Sequence, residues 1–155
     1  MRLTIVAVGR LGRAPEADLT RLYADRAGAA GRALGLGPVE LIEVESRKPG
    51  REAEGAALLA ALPAGTHLFV CDERGTAWRS RDFATRLSEL RDRGVRQASF
   101  VIGGADGLSE EVRVAAAERL AFGPQTWPHA LARVMLTEQL YRAVTILAGS
   151  PYHRD

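Results

Sequence analysis

The sequence predicts an α/β protein: a mostly parallel sheet with helices on both faces. Short apolar, β-branched runs alternate with longer segments of helical periodicity, and the connections between them are brief. The first run is β-branched and apolar, as a strand buried on both faces would be. The chain's 155 residues, 46% hydrophobic and 26% charged, suit one compact domain with a sizeable core. It shows no internal repeat and no low-complexity segment.

Residues 2–9 read as the first strand, and Pro15 opens a helix carrying Leu19, Leu22, Tyr23 and Ala27, closed by Gly35 and Gly37. Residues 39–45 alternate and form a second strand. A basic turn at 46–50 leads into an alanine-rich helix over 51–62. Residues 66–72 make a third strand, and Ser80 is the expected N-cap of a helix with Phe83, Leu87 and Leu90 on one face, ended by Gly94. Residues 97–102 form a fourth strand, and Ser109 caps a helix whose first turn holds Glu110 and Glu111. A short fifth strand over 119–122 and a long helix over 130–147 complete the order. That last helix carries Leu131, Met135, Leu136, Leu140, Val144 and Leu147 around much of its circumference. Either a partner subunit or complete burial within one chain accounts for such a pattern.

Composition narrows the function. Net charge is only +2, a weak field for capturing a polyanion. Of 21 basic residues only Lys48 is lysine; arginine suits phosphate and base edges, although a GC-rich coding sequence gives the same bias. The single cysteine, Cys71, forms no internal disulfide, and three scattered histidines do not make a zinc site. No apolar stretch reaches membrane-spanning length and the N-terminus has no cleavage pattern, so a cytoplasmic protein is expected.

Several chemistries lack their residues. No Gly-Lys-Ser/Thr phosphate loop exists around Lys48. Gly103, Gly104 and Gly107 have the wrong spacing for a dinucleotide fingerprint, and Gly9 with Gly12 gives only G-x-x-G. There is no G-x-S-x-G elbow and no His-x-x-x-His pair. Two loops remain, 102–109 and 122–129, each following a predicted strand at the edge where open α/β sheets bind ligands. Gly103, Gly104, Gly107 and Gly123 allow a ligand close to the main chain, while Pro124 and Pro128 fix the second loop's path. Such a pocket suits an adenosine-like ligand, with Phe122 or Trp127 in apolar contact; two ordinary turns would have the same composition.

At these residues the chain resembles a known family, the SPOUT-class methyltransferases that modify ring nitrogen N3 of a pseudouridine in large-subunit (23S) ribosomal RNA. The likeness runs the length of the chain. It is carried by residues 6–9, Leu41-Ile42-Glu43, Ile102-Gly103-Gly104, Gly107-Leu108-Ser109, Pro128-His129, Arg133, residues 138–143 and Pro151-Tyr152-His153-Arg154. It implies a C-terminal trefoil knot, about 100–148, an exception to the rule against threaded chains. It further implies S-adenosylmethionine bound at Cys71, Gly103, Gly104, Gly123, Pro124, Gln125, Thr126, Trp127 and Pro128. Cys71 stands where an aliphatic residue is usual.

The same resemblance implies a homodimer in which the tail of one subunit, 149–155, closes over the partner's site. His129, Tyr152, His153 and Arg154 are then the candidates for catalysis, and Arg133 and Arg142 for contacting RNA phosphate or holding the tail. An assembled ribosomal particle is the implied substrate, and no metal or membrane is involved. The rival readings are a catalytically silent ribosome-associated binding protein of the same fold and, less favoured by the glycine spacing, a nicotinamide oxidoreductase.

Overall fold

The computed structural model describes residues 1–153. Five strands, β1 (Arg2–Val8), β2 (Val39–Val44), β3 (His67–Thr76), β4 (Gln97–Ile102) and β5 (Glu118–Leu120), form one sheet in the order β2-β1-β4-β3-β5. Every pairing is parallel. All strand C-termini therefore share one edge. β1 sends the chain outward to β2, whereas β4 sends it the other way to β5, and ligands bind open α/β sheets at such a reversal.

The helices are α1 (Pro15–Gly31), α2 (Arg51–Ala60), α3 (Ser80–Asp92), α4 (Glu110–Ala115) and α5 (His129–Leu147). Side chains alternate across each strand, so the sheet has two cores. Leu3, Ile5 and Ala7 of β1 join Phe100 of β4 and Phe69 of β3 under α3 and α5. Val6 and Val8 join Val70 and Val101 against Leu58 of α2 and Val112 of α4. At the centre of the first core Phe69 stacks on Phe100, with ring centroids 4.7 Å apart. α1 packs along α5.

Most element boundaries agree with the sequence reading, and the differences have local causes. β3 runs past the expected 72 to Thr76, because Leu120 faces both Cys71 and Thr76 and the intervening residues bulge out. Asp72 holds that bulge by accepting a hydrogen bond from the Arg74 N–H at 2.9 Å. β5 lies a residue or two earlier than expected. Ser80 is not an N-cap: Arg79 holds that position without a side-chain cap, and the Ser80 hydroxyl donates to Gln139 Oε1 of α5 at 2.8 Å. Ser109 does cap α4, accepting from the Val112 N–H. Among the described residues no helix is long and apolar enough to cross a membrane, and no cluster of potential metal ligands forms.

Candidate active site

The two loops singled out in the sequence leave the same edge of the sheet. After β4 the chain reverses tightly, with the Gly107 N–H donating to the Gly104 carbonyl at 3.1 Å. A side chain on Gly103 would sit 2.9 Å from the Gly107 backbone, and one on Gly104 would sit 2.7 Å from Glu54 Oε2. Gly103 therefore requires glycine, whereas a side chain at Gly104 would push the Glu54 carboxylate aside. α2 presses this loop from one side: a Cβ on Gly55 would come within 2.1 Å of Ser109 Oγ, so the bare helix backbone at Gly55 makes room for the Ser109 side chain. A glycine inside a helix costs about 1 kcal/mol against alanine. Here that cost permits the contact.

The second loop leaves β5 and ends at Pro128, the N-cap position of α5. Pro124, Gln125, Thr126, Trp127 and Pro128 are exposed and Gly123 is half-buried. Trp127 is 41% exposed, its indole N–H donating to the Phe122 carbonyl at 3.2 Å, and the Thr126 hydroxyl donates to Glu73 Oε2. Cys71 is half-buried against the first core; burial pushes its thiol up to about 12, so it stays neutral and packs as a small apolar group.

His129 begins α5 beside the end of β1, its Nε2 4.0 Å from where a Cβ on Gly9 would stand. One turn on, Arg133 is only 1% exposed. Its guanidinium donates to Glu43 Oε1 at 2.8 Å, to the Gly9 carbonyl at 2.7 Å and to the Val8 carbonyl. The same Glu43 oxygen accepts from the Leu11 N–H at 2.9 Å. Arg133 is thus corrected from a ligand of RNA phosphate to an internal anchor, since its cation is spent on β1 and β2 and turned away from solvent.

The tail folds back along α5. Tyr152 donates to Glu138 Oε1 at 3.1 Å and packs on Tyr141, ring centroids 4.6 Å apart. Arg142 bonds the same Glu138 oxygen at 2.6 Å, lies over the Tyr152 ring at 5.1 Å and approaches His153 Nδ1 at 3.3 Å. Burial, then hydrogen bonding with Tyr23 and the Glu138 carboxylate, raises the Tyr152 phenol well above its ordinary value. Arg142 therefore lies against the tail. Arg154, the remaining candidate, falls outside the described residues.

A cavity of about 460 Å³ follows the outer side of α5, bordered by Leu19, Trp78, Gly123, Met135 and Glu138. It brings the second loop and the tail-holding carboxylate to one space, but Cys71, Gly103 and Gly104 do not line it. Sequence reasoning gave no role to Glu54, Glu43 or Glu138. Glu43 and Glu138 lie in motifs the resemblance quotes. For Glu54 the available signal was Gly55, a helix-interior glycine that needs a packing reason.

Comparison with known proteins shows the family of the chain. A family model described as "Predicted SPOUT methyltransferase" matches residues 1–153. The chain belongs to the SPOUT methyltransferase family. Among its relatives is the ribosomal RNA large subunit methyltransferase H of Phenylobacterium zucineum (strain HLK1), 64% identical over 155 residues and covering 100% of both chains. The protein of the same name from Caulobacter vibrioides is 59% identical over 155 residues, covering 100% of this chain and 99% of the other. The crystal structure of a probable methyltransferase from Bordetella pertussis Tohama I shares the fold of this SPOUT chain, with a TM-score of 0.53 at 17% identity, over 92% of this chain and 96% of that one.

Proposed function

We propose that this SPOUT methyltransferase transfers a methyl group from S-adenosylmethionine to N3 of a pseudouridine in large-subunit (23S) ribosomal RNA, acting in the cytoplasm on an assembled ribosomal particle. The observation that carries the reading is the full-length 64% identity to a ribosomal RNA large subunit methyltransferase H. The site has the matching character: two glycine-bearing loops at one strand edge beside an exposed indole.

The residues present fit a cationic adenosyl ligand. Main chain at 103–104 and 123–128 can read an adenine edge, Trp127 offers an apolar face, and the buried Glu54 Oε2 behind Gly104 has no hydrogen-bond partner among the described residues. When bound, S-adenosylmethionine supplies a methyl group on a positively charged sulfur. For such a displacement at the methyl carbon, positioning would carry much of the acceleration, and these two loops would supply it.

The N3 proton must leave as the new bond forms, and this chain offers His129 beside the second loop or His153 on the tail as acceptor. Tyr152 stacks on or orients the base, Arg154 steadies the developing anionic oxygen, and Arg142 with Glu138 holds the tail in place. A trefoil knot through 100–148 belongs to the same reading, as does a homodimer. Leu19 and Leu22 of α1 and Leu131 of α5, each at least 40% exposed, flank the half-buried Val134 and Met135. A second copy covering this stripe brings its own tail toward the first copy's loops.

A thermal shift series tests the cofactor half. S-adenosylmethionine raises the melting temperature in a concentration-dependent manner and NAD does not. The reverse result removes the methyltransferase chemistry. Failure of both ligands leaves the silent binding protein as the surviving account.

A further inference from the structure

Glu54 sits in the first turn of α2 with its carboxylate close to Gly104. Oε2 is buried and has no hydrogen-bond partner among the described residues. The neighbouring cation does not neutralise it, since Arg51 Nε bonds Glu52 at 3.0 Å. The Glu54 N–H donates to the Gly50 carbonyl at 3.1 Å, and the close contact of Gly55 with Ser109 holds α2 against the loop. The residue as a whole is half-buried in the first turn of its helix, where a negative charge is favoured, but a buried carboxylate oxygen without a hydrogen-bond partner still calls for an explanation, and function is one.

Resting on the cofactor reading above, we infer that Glu54 selects the charged form of the cofactor, its carboxylate favouring the sulfonium of S-adenosylmethionine over the neutral thioether product, S-adenosylhomocysteine. The buried oxygen cannot be reached directly, so it acts through its field, and a field distinguishes ligands by charge. Substrate and product share the adenosine, the α-ammonium and the α-carboxylate. They differ by one methyl group and one positive charge. A carboxylate close behind Gly104, screened less than it would be in water, therefore holds the reactive cofactor and releases the spent one.

The test is calorimetric titration of the full-length protein with each ligand, in the absence of RNA. Glu54→Gln keeps the side-chain shape and removes the charge; Glu54→Asp keeps the charge. The Gln variant is expected to bind S-adenosylmethionine about tenfold more weakly while its affinity for S-adenosylhomocysteine stays within about twofold. The Asp variant should retain most of the discrimination, and the unliganded melting temperature of the Gln variant should not fall. An equal loss for both ligands, an unchanged affinity for both, or a several-degree drop in melting temperature overturns the inference and leaves Glu54 a structural support of the loop. A wild-type protein that binds neither ligand overturns the cofactor reading itself, a result distinct from any of these.

Discussion

Arg133 does at the residue scale what no element does alone: it joins the start of α5 to the ends of β1 and β2 through Val8, Gly9 and Glu43. Arg133→Met strands two carbonyls and removes the partner of a carboxylate. It should cost about 3 kcal/mol in urea unfolding, with S-adenosylmethionine affinity falling as the second loop loses its anchor. Gly104→Ala is a sharper local test, because its Cβ would stand 2.7 Å from Glu54 Oε2. That variant should fold and lose cofactor affinity at least tenfold by calorimetry. The glycines were legible in the sequence because glycine in a strand-ending loop signals close approach. The inward turn of Arg133 was not, since a cation on an amphipathic helix looks the same whether it faces water or a buried carboxylate.

Among the elements, the β3 bulge and α4 are tied by Arg113 donating to Asp72 Oδ2 at 2.6 Å. Burial raises the Asp72 carboxyl, but the Arg74 N–H and the Arg113 guanidinium outweigh it and hold the group below its ordinary 3.8. A depressed folded-state value means this contribution is complete above pH 3.8 and disappears as pH falls through the lower folded value. Asp72→Asn should therefore lower stability at neutral pH and narrow the gap from wild type as acid titration proceeds below that point. A constant gap from pH 7 downward would contradict the assignment. Element order and type were readable from periodicity, since continuous apolar strands and spaced helical faces leave little ambiguity. The extension of β3 to Thr76 was hidden because Asp72, Glu73, Arg74 and Gly75 have the composition of a turn, and only pairing with Leu120 on both sides makes a strand of them.

For the molecule as a whole, one stripe carries the assembly argument: Leu131 at 40% and Leu19 at 43% exposure beside a cavity of about 460 Å³. Under the proposed homodimer this stripe is the seam. Met135→Glu should convert a dimer to a monomer in sedimentation and abolish methylation while single-chain stability stays within about 1 kcal/mol. Removal of 149–155 should abolish methylation yet leave S-adenosylmethionine affinity within a few-fold, because Tyr152 of the tail packs on Glu138 and Tyr141 of α5. That the two glycine-bearing loops leave one edge of the sheet was legible from the sequence alone, whereas the proposed cofactor and substrate base came from resemblance. Recognition through the main chain, as proposed, would leave little side-chain signature to read.

The most direct measurement is mass spectrometry of 23S ribosomal RNA from cells with the gene intact, deleted, and restored on a plasmid. One methyl group on a single pseudouridine should vanish on deletion and return with the wild-type gene. An unchanged methylation pattern across the three strains would contradict the account.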